Sequence, residues 1–281
     1  MKRVILCACS YLILAATFLV ASSFRVASAD EVISSNTEAT LERYISNLYN
    51  QLDLTGSERI SYDVFSKAIH GYLNLRNEGK LSADKQIITI CNFNLPSTEN
   101  RLWIIDLEKK KVLFNTYVAH GEGSGDDCSI SFSNNNSTHK SSLGFYVTGD
   151  TYDGEHGTSL YLNGMDEGFN DAAYERGIVV HGANYVSSKF VSEHQRLGHS
   201  WGCPAVPTKL SLPIINTIKE GTCLFIYYPD AKYLQTSYWM NKRITNIPSG
   251  DIYASVPELE VKPREIQYIR NGRTDSVKLG N

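Results

Sequence analysis

Cysteine is scarce in this chain. Six occur in 281 residues, and two of them, Cys7 and Cys9, lie inside an N-terminal apolar run. The other four, Cys91, Cys128, Cys203 and Cys223, are too sparse to hold a chain of this length together by disulfides. The fold must therefore rest on a hydrophobic core, with one disulfide pair expected at most. Blocks of Lys and Arg are missing too, which argues against a nucleic-acid partner. No internal repeat is present, and the only low-complexity stretch is the loop-like "NNNST". Zinc spacing is absent: His181, His194, His199 and Cys203 are separated by 12, 4 and 3 residues, which matches no common zinc site. "DTYDGEHG" lacks the spacing of the helix–loop–helix calcium site and reads as a solvated turn. Neither a metal nor an organic cofactor is expected.

What is there suits a globular protein with a substantial core: 42% hydrophobic residues, 20% charged and 17 tyrosines,. The start stands apart. Lys2 and Arg3 precede an apolar run from Val4 to Val20, and Ala27-Ser28-Ala29 follows. This order describes an export signal at residues 1–29, cut before Asp30, with an uncleaved anchor as the alternative. Cleavage removes Lys2, Arg3 and Arg25 and leaves 24 basic against 30 acidic residues, a net charge of −6.

Helical spacing of Leu41, Tyr44, Ile45, Leu48 and Leu52 predicts a helix over 38–54, and Val64 to Leu73 repeats the pattern in a second helix ending near Gly79. Together they make a helical segment over residues 30–82. From about residue 85 the texture changes to short β-branched and aromatic runs: "QIITICNF", "RLWIIDL", "KVLFNTYV", "LGFYVTG", "SLYLNG", "GIVVHG" and "CLFIYYP". Gly, Asn, Asp and Ser clusters separate them, as between strands. One helix, "KLSLPIINTIKEG", is expected among them, with Pro213 in its first turn. The fold class is thus mostly β (α+β), with a β-rich domain at 83–232. Residues 233–281 form a C-terminal extension whose part beyond Asn241 reads as an extended or mobile arm.

The segment "HSWGCPAVP" places Cys203 between glycine and proline in a polar stretch unlike a core strand. Upstream, "GIVVHG" ends a strand with His181 and Gly182. A free thiol titrates near ~8.5 and needs a base or dipole to become a good nucleophile. A histidine fixed at a strand end is suited to take that proton and return it to a leaving amine. The N–H groups of Trp201, Gly202 and Cys203 are candidate oxyanion donors. A buried, inert Cys203 is the competing reading. His120, another His-Gly at a strand end, is the rival base.

"HGANYVS" followed by "LGHSWGCPAVP" resembles the L,D-transpeptidase catalytic-domain family (YkuD-like), in the branch bearing Ser-Trp-Gly-Cys-Pro-Ala. "NLPSTENRLWIIDLEKKKVLFNTYVAHGEGSG", "FSNNNSTHKSSLGFYVTG" and "GEHGTSLYLNGMDEGFNDAAYERGIVVHGANYVS" carry the resemblance over roughly residues 60 to 230. It implies a YkuD-like β-rich fold and a cysteine enzyme acting on peptidoglycan stem peptides. Cys203 is then the nucleophile, His181 the general base, and Gly182 and Ser200 shape the site. His120 is expected in a cleft-lining loop, and with His199 it is a candidate substrate contact. The Cys203–His181 pair is expected to rest largely as thiolate and imidazolium, and a β-lactam of the carbapenem type is the implied inhibitor.

Three residues depart from the family pattern. Trp201 replaces a histidine of the more widespread branch, removing a second imidazole. Pro204-Ala205 replaces an apolar–Arg/Asn pair that is a candidate contact to the substrate carboxylate. His199 stands where this branch is expected to have arginine. The expected reaction is 3→3 crosslinking through a Cys203 thioester. An L,D-carboxypeptidase or amidase with the same residues, and a non-catalytic wall-binding protein, are the alternatives.

Overall fold

The computed structural model describes residues 29–248 together with two strands at 265–270 and 273–278. The expected export signal lies outside the described residues except for Ala29. Among those described, no helix is long and apolar enough to cross a membrane. The chain divides into two compact units, residues 1–43 and 44–281. Helix α1 (Ala29–Asn50) runs from one into the other.

In the larger unit, α1 buries Tyr44, Ile45 and Leu48 at the predicted spacing. The expected extension to residue 54 is not made, because α1 stops at Asn50. Leu52 is buried nonetheless. Helix α2 (Tyr62–Asn77) begins where the Ser61 side chain accepts the Val64 N–H, satisfying one of the donors a helix start leaves unpaired. It ends just before Gly79, whose φ is +66°.

Seven strands coincide with the seven β-rich runs. They are β1 (Ile87–Asn92), β2 (Leu102–Asp106), β3 (Lys111–Thr116), β4 (Gly144–Gly154), β5 (Gly157–Gly164), β6 (Val179–Ala183) and β8 (Cys223–Tyr227). An eighth, β7 (Ala205–Pro207), completes one sheet ordered β3-β2-β1-β8-β4-β5-β6-β7. The β1–β8 and β6–β7 pairs are parallel and the rest antiparallel. β2, β6 and β8 are buried along their whole length, which explains why they read as continuous apolar runs rather than alternating ones. Phe145 and Phe225 face each other across β4 and β8 and stack at 4.2 Å.

Helix α3 (Ser188–His194) follows β6, and helix α4 (Thr208–Ile218) follows β7. Pro213 is therefore the sixth residue of α4 and not in its first turn. The reason is β7: the strand delivers the chain directly into a helix at Thr208, earlier than sequence placed it. Ile214, Ile215 and Ile218 of α4 are buried.

Two short helices in the C-terminal region, α5 (Ala231–Thr236) and α6 (Tyr238–Asn241), are capped by Asp230 and Ser237. They are tied into the sheet domain by Asp166, which accepts from the Phe145 N–H (2.7 Å), Ser237 Oγ (2.5 Å) and Tyr233 OH (3.2 Å). Asn74 of α2 donates to the Trp239 and Lys242 carbonyls, both at 2.8 Å. The expected arm differs as well, because β9 (Glu265–Arg270) and β10 (Arg273–Lys278) pair antiparallel with each other. Cys91, Cys128, Cys203 and Cys223 are all free thiols.

Candidate active site

β6 and β7 build the site. Their parallel register sets His181 opposite Ala205, and two residues further back along the pair Cys203 comes opposite Val179. A hydrogen bond marks that position: the Val179 N–H donates to Cys203 Sγ at 3.4 Å. The thiol in turn points at the Gly177 carbonyl, 3.7 Å away. Thiol and imidazole thus stand beside the same strand, two residues or about 6–7 Å apart along it.

The loop carrying Cys203 is clamped on its other side by the chain after β3. Ala119 and Ala205 exchange backbone hydrogen bonds at 2.8 and 3.3 Å, Ser200 N–H donates to His120 O at 3.1 Å, and Glu122 N–H donates to Ser200 O at 2.9 Å. Within the loop, Ser200 Oγ donates to the Cys203 carbonyl at 2.6 Å and accepts the Gly202 N–H at 3.1 Å. That second bond occupies one of the three expected oxyanion donors. The amides of Trp201 and Cys203 remain as candidates. Gly202 has φ +119°, and a Cβ there would lie 2.8 Å from the Lys140 carbonyl, so no other residue fits without moving the loop. Gly182 serves packing: its missing Cβ would sit 2.7 Å from Ser211 Oγ of α4.

A cleft of about 530 Å³ opens over this strand pair. Cys203, His181, His199, Ser200 and Trp201 line it, together with Tyr152, Glu155, His156, Arg176 and Tyr185. His181 is only 3% exposed, and its Nδ1 faces the Gly182 carbonyl at 3.1 Å. A carbonyl only accepts, so Nδ1 carries the proton and Nε2 the lone pair. Burial holds the His181 pKa below the ordinary histidine value, despite the opposing Gly182 carbonyl. Burial also raises the Cys203 thiol, against the Val179 N–H and Arg176, which act the other way. Both directions favour the neutral thiol and the neutral imidazole. This differs from the expected thiolate–imidazolium pair because desolvation penalises both charged forms.

His120 is not in the cleft wall. It is 1% exposed, with Nδ1 accepting from Arg101 Nη2 at 2.7 Å and Nε2 donating to the Gly125 carbonyl at 3.1 Å. Both ring nitrogens are occupied in a buried network that supports the loop, leaving none for a thiol. Burial and the Arg101 charge push its pKa down to about 3. Folded His120 therefore stays neutral where an unfolded one takes a proton. The stability this contributes is complete above pH ~6.5 and is lost as pH falls toward 3. His120→Gln, which can keep both hydrogen bonds, is expected to flatten the fall in unfolding free energy between pH 7 and pH 4.5 in urea titrations. An unchanged pH dependence would place the acid-sensitive group elsewhere.

His199 donates Nε2–H to the Asp126 carbonyl at 2.7 Å and lies 5.1 Å from the His120 ring. Trp201 is 72% exposed at the cleft rim, stacked on His139 at 4.8 Å. His139 is in turn held by Glu122 at 2.5 Å. Sequence reasoning missed Arg176, the cleft's one permanent cation among the described lining residues. It donates to Ser133 O (2.9 Å), Ser142 Oγ (2.5 Å) and Lys140 O (2.8 Å). Its position immediately before the His181 strand was the available signal. No cluster of three or more His, Cys, Asp or Glu among the described residues is arranged to hold a metal ion. A thiol, an imidazole lone pair and the Trp201 and Cys203 amides at one cleft are the groups that attack on a carbonyl would call for.

A family model described as L,D-transpeptidase catalytic domain matches residues 56–227. No curated protein matches. Among solved structures, the chain is similar to an L,D-transpeptidase from Mycobacterium smegmatis at 9% identity, covering 51% of this chain and 59% of that one, with a TM-score of 0.32. The LD transpeptidase LdtMt1 in complex with imipenem matches at 10% identity over 51% of this chain and 59% of that one, TM-score 0.31. The helical cell shape determining protein Pgp2 from Campylobacter jejuni matches at 15% identity over 56% and 55%, TM-score 0.36. The chain thus spans less than two thirds of the length of each of these three.

Proposed function

Starting from the chain's membership of the L,D-transpeptidase catalytic domain family, we propose that it is a cysteine acyltransferase that forms 3→3 crosslinks between peptidoglycan stem peptides. The observation that supports this most is the placement of Cys203 against Val179, two residues from His181 on one strand, inside one cleft. His181 Nε2 takes the thiol proton as Sγ attacks the carbonyl of the third stem residue. The Trp201 and Cys203 amides receive the oxyanion. The intermediate collapses to a thioester, and the departing D-amino acid leaves with the proton from His181. An amine of a second stem then displaces Cys203 and restores the thiol. Peptidoglycan lies outside the cytoplasmic membrane, so this reading calls for export, for which residues 1–29 have the expected composition.

Incubation of the purified protein with a defined tetrapeptide stem is expected to release the terminal D-amino acid and give a crosslinked dimer by mass spectrometry. Tripeptide without dimer would make it a carboxypeptidase on the same thioester. Neither product, with an unreactive Cys203, would leave the wall-binding alternative.

A further inference from the structure

The turn "DGEHG" between β4 and β5 reads in sequence as solvated. In the structure it stands over the cleft, with Tyr152, Glu155 and His156 in the wall. The exposed His156 ring lies nearly parallel on His181, with centroids 4.4 Å apart and planes at 22°. The hairpin is braced in that position. The register shifts between Thr148 and Thr151, and beyond that point Tyr152 stacks on Tyr161 at 4.7 Å, which contacts Tyr174 at 5.1 Å. Thr158 Oγ1 donates to Asp153 Oδ1 at 2.7 Å across the turn.

We propose that His156 is a positioning residue for His181, its ring packing on the base and keeping it free of a proton. The proposal rests on the reading of His181 as the general base. Two imidazolium rings at this separation repel, so on acidification one ring takes the proton and opposes protonation of the other. Solvent reaches His156 while His181 is 3% exposed, and charge on the outer ring opposes charge on the buried one, one of the influences that lower the His181 pKa. Glu155, on the same turn, is the carboxylate among the residues lining the cleft. The other titratable groups around His181 are Tyr152 on the hairpin, Tyr161 on β5, and Arg176, Tyr185, His199 and Cys203 in the cleft wall. β7 carries no titratable side chain, and Lys209 of α4 lines a different pocket. His156 thus supplies a second imidazole that the tryptophan at 201 does not.

The test compares wild type, His156→Phe and His156→Ala in the full chain. Acylation of Cys203 by a carbapenem is followed by intact mass from pH 5 to 8.5, and the His181 ring is titrated by NMR with labelled histidine. Phenylalanine keeps a flat ring and loses the proton. Its acid limb and the His181 titration are expected to move up by about half to one pH unit, with the rate at pH 8 within about twofold of wild type. Alanine loses the packing as well and is expected to be slower at every pH, so that phenylalanine rescues it at pH 8. An unchanged limb and unchanged His181 titration in both variants would overturn the proposal. If wild type does not acylate, it is the reading of the Cys203–His181 pair that fails, and the NMR titration still decides whether His156 governs His181.

Discussion

Cys203→Ala is expected to lose all crosslinking and D-amino acid release, a fall of at least about four orders of magnitude. That is the scale seen when the nucleophile of a covalent catalyst is removed. Its unfolding free energy is expected to stay within about 1 kcal/mol of wild type, because the sulfur faces an open cleft and alanine leaves no closed void. Cys91 and Cys223 provide the contrast. Both are fully buried, on β1 and β8 in the centre of the sheet, and burial pushes the Cys91 thiol up to about 12. Alanine at either position is expected to lower stability and leave turnover per folded molecule unchanged. Denaturant titration beside the tetrapeptide assay separates the two patterns. A Cys203→Ala protein that loses ~2 kcal/mol or more yet still turns over would make Cys203 a core residue and remove the proposed chemistry.

The parts of the fold that could be read from sequence are those with a period or a buried run. Seven strands were visible because short runs rich in apolar, β-branched and aromatic residues recur between turn clusters. α2 was visible because its apolar positions repeat at helical spacing. β7 has three residues, too few to carry a period, and its omission displaced the start of α4 relative to Pro213. α5 and α6 have six and four residues, too short to show a period, and their local signals are the caps Asp230 and Ser237. At the site, the sequence brings His181 and Cys203 into view because each sits in an unusual glycine-bearing context. It does not show His156 or Arg176, since their relation to the cleft comes from the pairing of β4 with β5 and the packing of the segment before β6. Nor does residue type tell a buried His120 from a cleft histidine. That distinction rests on Arg101 and the Gly125 carbonyl occupying both nitrogens.

His181→Ala is expected to slow acylation of Cys203 by a carbapenem about 10²- to 10⁴-fold at pH 7, the usual loss for a positioned general base. The pH dependence carries the stronger signature. With the neutral forms of both groups favoured, wild-type acylation draws on the His181 lone pair. Its acid limb should fall below the ordinary histidine value near 6.5, because the His181 pKa is held down by burial. Without the imidazole, reaction depends on the small thiolate fraction of a thiol whose own pKa is raised. The variant's rate should then climb about tenfold per pH unit through pH 8 and beyond, so the gap to wild type narrows in alkali. His120→Gln is expected to stay within a few-fold of wild type throughout, since neither nitrogen of His120 reaches the cleft. Intact-mass kinetics across pH 5.5 to 9.5 on the three proteins reads all of this. A His181→Ala protein that acylates at the wild-type rate at pH 7, beside a His120→Gln protein that does not acylate, would transfer the role of base to the buried histidine.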